Sequence, residues 1–150
     1  MAYRGAENSQ GRRIFEGGKN SRIVDITAYM LYPKSMVELV FFETENGRAP
    51  VRENLEALPE PDQAKAAAHL NLLELHGHTL REPHVKHMQD KLRELRFKIS
   101  AGQYRVLFFF PVGGKAVLVH SIVKKTQETP KPDLDLALKR MREWMRRHGG

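Results

Sequence analysis

The chain predicts an α+β domain: a small twisted antiparallel sheet backed by helices, in the order strand, two helices, three strands, C-terminal helix. Three observations carry this. Residues 92–99 and 103–110 are adjacent runs of strand formers, parted by the Gly-bearing step Ser100-Ala101-Gly102. Prolines at 50, 59 and 61 punctuate a stretch with apolar residues at helical spacing. Leu134, Leu138, Met141 and Met145 form an apolar stripe on an otherwise basic segment at the C-terminal end.

Taken in order, residues 37–43 are apolar enough for a strand, and Asn46-Gly47 supplies turn chemistry after it. Pro50 suits the first turn of a short helix through Leu58. Pro59 and Pro61 end that helix, and Pro61 opens the next. There Ala64, Ala68, Leu72 and Leu75 recur at helical spacing, and Gly77 fits the C-terminal cap. Residues 76–88 read as a connection. The hairpin follows, then a loop at 111–115, then the almost wholly apolar, β-branched run 116–123, expected in the sheet interior. Two prolines mark the turn at 126–132. The last helix has Trp144 beside its stripe, and Asp133 and Asp135 near its positive N-terminal end. Residues 1–35 have few apolar anchors. They read as an N-terminal extension, flexible or non-native, ahead of a functional domain at 36–150.

The 150 residues include no cysteine, which rules out disulfides, thiol catalysis and Cys-based zinc sites. No apolar run approaches the roughly 20 residues of a membrane helix, so a cytoplasmic protein without membrane contact is expected. The net charge is +7 and unevenly spread. Residues 36–80 carry 3 Lys and Arg against 8 Asp and Glu, a net −5; residues 81–150 carry 16 against 7, a net +9. Such a basic half is an electrostatic footprint for polyanions, nucleic acid foremost, weighed against a merely solvated basic surface.

The hairpin sharpens this expectation. Side chains alternate along a strand, so Leu95, Phe97 and Ile99 face one way and Arg96 and Lys98 the other. With residues 100–103 as a four-residue loop, Ile99 faces Tyr104 and Lys98 faces Arg105. The apolar face then continues through Tyr104, Val106 and Phe108. The opposite face gathers Arg96, Lys98 and Arg105. Like charges directly opposite are destabilising, a conflict that an anion between them would relieve. Pairing Phe110 with Ala116 sets Arg105 against Ser121 and carries Val123 and Lys125 onto the cationic face; a one-residue slip exchanges Lys125 for Lys124. Preorganised cations of this kind suit phosphodiester cleavage, whose transition state gathers negative charge on the phosphoryl oxygens. Lys98, set among other cations, is the candidate for proton transfer.

The segment from Phe41 to Trp144 resembles the RelE/HigB toxin superfamily, in its phage-derived host-inhibition branch. The motifs are Glu45-Asn-Gly-Arg-Ala-Pro-Val51, Lys91-Leu-Arg-Glu-Leu-Arg96, Tyr104-Arg-Val-Leu107 and Val123-Lys-Lys-Thr-Gln-Glu-Thr-Pro130, with residues 137–140 of the last helix. The resemblance covers roughly the last two thirds of the chain. It implies a RelE-like fold and a type II toxin that inhibits translation as an mRNA endonuclease in the ribosomal decoding site. In that chemistry the RNA 2′-hydroxyl attacks the adjacent phosphate, so neither metal nor cofactor is required. It implies catalytic roles for Arg96, Lys98, Arg105 and Lys125, the last where many relatives carry arginine. Lys131 stands nearest to a tyrosine used by some relatives; no tyrosine follows Tyr104 here. Lys124, Lys131 and Arg140 are the expected RNA contacts. The implied partners are mRNA, the ribosome and a cognate antitoxin, often a helix-turn-helix protein. A noncatalytic nucleic-acid-binding module and a phage-type inhibitor of a host protein are the alternatives.

Other candidates have plainer readings. His76, His78, His84 and His87 have a spacing compatible with zinc or nickel, but no cysteine or carboxylate set joins them, so they read as surface histidines. His120 lies in an apolar strand and reads as structural, on the face away from the cations. Tyr104 could stack a base, but its alternation places it in the core. Gly113-Gly114 fits a hairpin turn.

Overall fold

The computed structural model describes residues 37–124 and 128–149. Five strands form one sheet: β1 (Glu38–Phe41), β2 (Val85–His87), β3 (Arg93–Ile99), β4 (Gly102–Phe109) and β5 (Lys115–Lys124). The helices are α1 (Pro50–Glu56), α2 (Glu60–His76) and α3 (Lys131–His148), with a 3₁₀ turn at Gly77–Thr79. The spatial order is β1-β5-β4-β3-β2. The α+β class and the order of helices and central strands follow the sequence expectation, with two additions. The connection before the hairpin contains β2, paired antiparallel to β3. β1 runs parallel to β5, so the sheet is mixed. A crossover through helices permits that direction, whereas a tight turn would not.

Helices cover both faces. On one face α1 packs against β5 and α2 against β3. Leu95, Phe97, Ile99, Tyr104, Val106 and Phe108 are all buried and share this face by alternation and pairing. Phe97 stacks on His69 of α2 at 4.7 Å between ring centroids. The buried stripe of α2 is Asp62, Ala66, Leu70 and Leu73, not the Ala64, Ala68, Leu72, Leu75 row expected from spacing; Leu75 is 41 % exposed. Two neighbouring rows of this Ala-rich helix are apolar, so spacing alone does not choose between them. Asp62 helps to orient it, because its carboxylate accepts from Ser100 Oγ (2.6 Å) and Ser100 N (3.1 Å), clamping the helix start to the β3–β4 turn. These hydrogen bonds hold the Asp62 carboxyl below the usual carboxylate range.

On the other face α3 buries Ala137, Leu138, Met141 and Trp144 against Phe42, Leu92, Leu107, Phe109, Val117 and Val119, with Trp144 edge-on to Phe109. Its far end is held by Arg147, which donates to the Glu43 carbonyl (2.8 Å) and lies over the Phe42 ring. Among the described residues no helix is long and apolar enough to cross a membrane.

A cationic face on the central strands

The site follows from strand pairing. Ile99 pairs with Gly102, Lys98 with Gln103, Phe97 with Tyr104 and Arg96 with Arg105. The hairpin loop is therefore two residues long rather than four. A register change of two leaves every side chain on its expected face, whereas a change of one would invert them. Arg96, Lys98 and Arg105 accordingly share one face, and Arg96 and Arg105 stand directly opposite each other.

The β4–β5 register differs more consequentially. Phe108 pairs with Leu118 and Phe109 with Val117, in line with the expected loop. Leu107 then pairs with His120, so Val119 is one extra residue, a β-bulge. Beyond it Arg105 faces Ile122 rather than Ser121, and Gln103 faces Lys124. The bulge places Lys124 on the cationic face and turns Ser121 and Val123 to the other. It also brings His120 onto the cationic side, contrary to the sequence reading. Three cross-strand rows result: Glu94–Leu107–His120, Arg96–Arg105–Ile122 and Lys98–Gln103–Lys124.

Arg105, at the centre of the middle row, is buried, whereas Arg96 and Ile122 beside it are half-buried. Arg105 and Glu94 are each 1 % exposed, and the Arg96 side chain is 18 % exposed. The Glu94 carboxylate lies between the two guanidiniums, with Oε1 3.5 Å from Arg96 Nε and Oε2 3.9 Å from Arg105 Nη1. Thr129 closes the cluster: its hydroxyl accepts from Arg105 Nη1 (3.1 Å) and donates to Glu94 Oε2. The anion relieving the Arg96–Arg105 conflict is thus supplied by the fold itself. Arg96 Nε is buried without a hydrogen-bond partner among the described residues. Lys98 is exposed and Lys124 half-buried.

The remaining expected site residues are spread around this cluster. Lys125 lies outside the described residues. Lys131 is exposed and pairs with Asp135 one turn on, at 3.0 Å. Arg140 is half-buried; it donates to the Val119 carbonyl (2.8 Å) and approaches His120 Nδ1 at 3.4 Å. Loss of hydration lowers the affinity of Arg140 for its proton. His120 Nε2 contacts Asp133 Oδ1 at 2.8 Å. A carboxylate oxygen can only accept, so the Nε2–H of His120 donates to Asp133. His120, Asp133 and Arg140 thereby tie α3 to the bulge. Tyr104 is buried on the opposite face, where its hydroxyl donates to Ser121 Oγ (3.0 Å) and burial pushes its pKa up.

Among the described residues no group of three or more His, Asp or Glu is arranged to hold a metal ion. His78 stacks on Phe110, and His87 meets the Asp90 carbonyl. Sequence reasoning missed Glu94, Thr129 and Asp133. For Glu94 the signal was present: an acid two residues before Arg96 on a strand shares its face.

Comparison with known proteins fits this architecture. Residues 53–142 match the family described as Phage derived protein Gp49-like (DUF891). Two proteins from Mycobacterium tuberculosis, of strains CDC 1551 / Oshkosh and ATCC 25618 / H37Rv, both named "Probable endoribonuclease HigB1", are each 30 % identical over 118 residues. The alignment covers 78 % of this chain and 92 % of each relative. The chain belongs to the Gp49-like phage-derived family, within the RelE/HigB type of toxins.

Proposed function

We propose that this protein is the toxin of a type II toxin–antitoxin pair and acts as an endoribonuclease on translated mRNA at the ribosome. The observation that carries the reading is the Arg96–Arg105 pair, flanked by Lys98 and Lys124 on one sheet face. The relationship to proteins named as HigB-type endoribonucleases supports it. In the proposed reaction the RNA 2′-oxygen attacks the neighbouring phosphorus. The bond to the 5′-oxygen breaks, leaving a 2′,3′-cyclic phosphate and a 5′-hydroxyl. Arg105 would hold the scissile phosphate and stabilise its added charge, and Arg96 would orient it. Lys98 is the proposed proton carrier. Lys124 and Lys125 would contribute positive field, and Lys131 and Arg140 contacts to RNA. The nucleophile belongs to the RNA, so the scheme invokes no metal. Residues 36–150 would form the toxin domain, working in the cytoplasm under control of a cognate antitoxin, proposed to be a helix-turn-helix protein.

Arg105 is only 1 % exposed, so a phosphate oxygen reaches its guanidinium only if the groups covering it move. That burial favours a second reading, a noncatalytic module that holds RNA through exposed Lys98 and Lys131 alone. In vitro translation with primer-extension mapping separates the two. The toxin reading expects cuts within translated codons and a loss of about a hundredfold or more in rate for Arg105→Ala. Intact RNA with wild-type protein would favour the second reading.

A further inference from the structure

We infer that Glu94 is a positioning residue for this chemistry: its negative charge sets the spacing and orientation of the Arg96 and Arg105 guanidiniums. The inference rests on the endoribonuclease reading and assigns that site a residue of opposite sign. Two arginines directly opposite on neighbouring strands repel each other. Burial strengthens the repulsion, because little water screens it. Glu94 shares their face, is almost completely buried, and approaches one guanidinium with each carboxylate oxygen.

The distances define its role. At 3.5 and 3.9 Å, the contacts to Arg96 Nε and Arg105 Nη1 compensate charge without forming the short, aligned hydrogen bonds of a bidentate pair. Among the described residues the Arg96 Nε donor has no hydrogen-bond partner. Glu94 therefore compensates the charge of both arginines and sets their spacing without locking either guanidinium into a bidentate pair with itself. Its Oε2 also accepts from Thr129, whose hydroxyl oxygen accepts in turn from Arg105 Nη1, so the carboxylate fixes that guanidinium through the threonine as well as directly. Without the carboxylate, the guanidiniums would move apart and the site would gain positive charge. Phosphate attraction would rise while alignment fell. A misplacement of about 1 Å is enough to cost on the order of a hundredfold in rate.

The test is single-turnover cleavage of a reporter mRNA on translating ribosomes, at varied toxin concentration, with wild type, Glu94→Gln and Glu94→Asp. Glu94→Gln keeps size and removes charge. Its maximal rate should fall about tenfold to a hundredfold, with half-saturation unchanged or at lower concentration. Glu94→Asp, which keeps the charge, should recover a large part of the rate. A Glu94→Gln rate equal to wild type overturns the inference. So does a rate loss that Glu94→Asp shares fully, or one accompanied by weaker half-saturation, since those outcomes describe a structural role. If Glu94→Gln does not fold, Glu94→Asp decides alone: a rate within about threefold of wild type supports the charge role, and a larger loss overturns it. Wild-type protein that leaves the mRNA intact refutes the endoribonuclease reading instead, so the two failures are distinguishable.

Discussion

At the scale of single residues, neighbours along and across strands decide what each charged or polar group can do. Arg96 and Arg105 were identifiable from alternation alone. Alternation also puts Glu94 on the face of Arg96, but its approach to Arg105 depends on the pairing of β3 with β4, which no single residue reveals. Tyr104 shows the reverse case: alternation places it on the apolar face, where it is buried and bonded to Ser121. Tyr104→Phe removes that hydrogen bond and should lower stability by about 1 kcal/mol, measured by urea denaturation. RNA cleavage should be unchanged. A cleavage loss of tenfold or more in a folded Tyr104→Phe protein would put the phenol in the chemistry.

At the scale of elements, faces and registers are decided by contacts distant in sequence. The helix α2 was legible as a helix, with its proline start and Gly77 end. Which of its rows would be buried was not, because alanine and leucine occupy both. The structure makes opposite predictions for two leucines five residues apart. Leu70→Ala opens a cavity beneath the helix and should cost about 2–5 kcal/mol. Leu75→Ala, at a largely exposed position, should stay within about 0.5 kcal/mol of wild type. Equal losses in chemical denaturation would mean that the helix sits rotated from the orientation described. The strand β5 teaches a similar lesson. Its apolar composition announced a strand, and loop closure set the right register near Phe109. The bulge at Val119 then moved every later pairing by one. A sequence with no Gly or Pro at that point gives no local sign of a bulge. Its partner is α3, which holds His120 through Asp133 and Arg140.

At the scale of the folded unit at 37–149, two helical layers enclose the sheet, and long-range polar clamps fix their placement. The Asp62–Ser100 clamp joins the first turn of α2 to the β3–β4 turn. Its carboxyl is held below its ordinary range in the folded state. The stabilisation is therefore fully present above the unfolded-chain value, about pH 4, and is lost as pH falls through the lower folded value. Asp62→Asn should be less stable than wild type at neutral pH, and the gap should narrow on acidification toward pH 3. Urea midpoints across that range measure it. A gap that widens with falling pH would contradict the clamp. The charge asymmetry read from composition also finds its place here: α1 and α2 carry the acidic segment, while the basic segment supplies the central strands and α3.

The amino-acid sequence by itself determined the class of fold, the identity of most helices and strands, and the common face of Arg96, Lys98 and Arg105. These depend on periodicities of two and 3.6 residues and on turn chemistry, all local properties. The tertiary structure alone decided the parallel edge strand, the buried row of α2, the bulge that brings His120 and Lys124 to the cationic side, and the burial of Arg105 in contact with Glu94 and Thr129. Each of those outcomes depends on which distant segment arrives to fill a space or balance a charge, and no local pattern encodes the arrival.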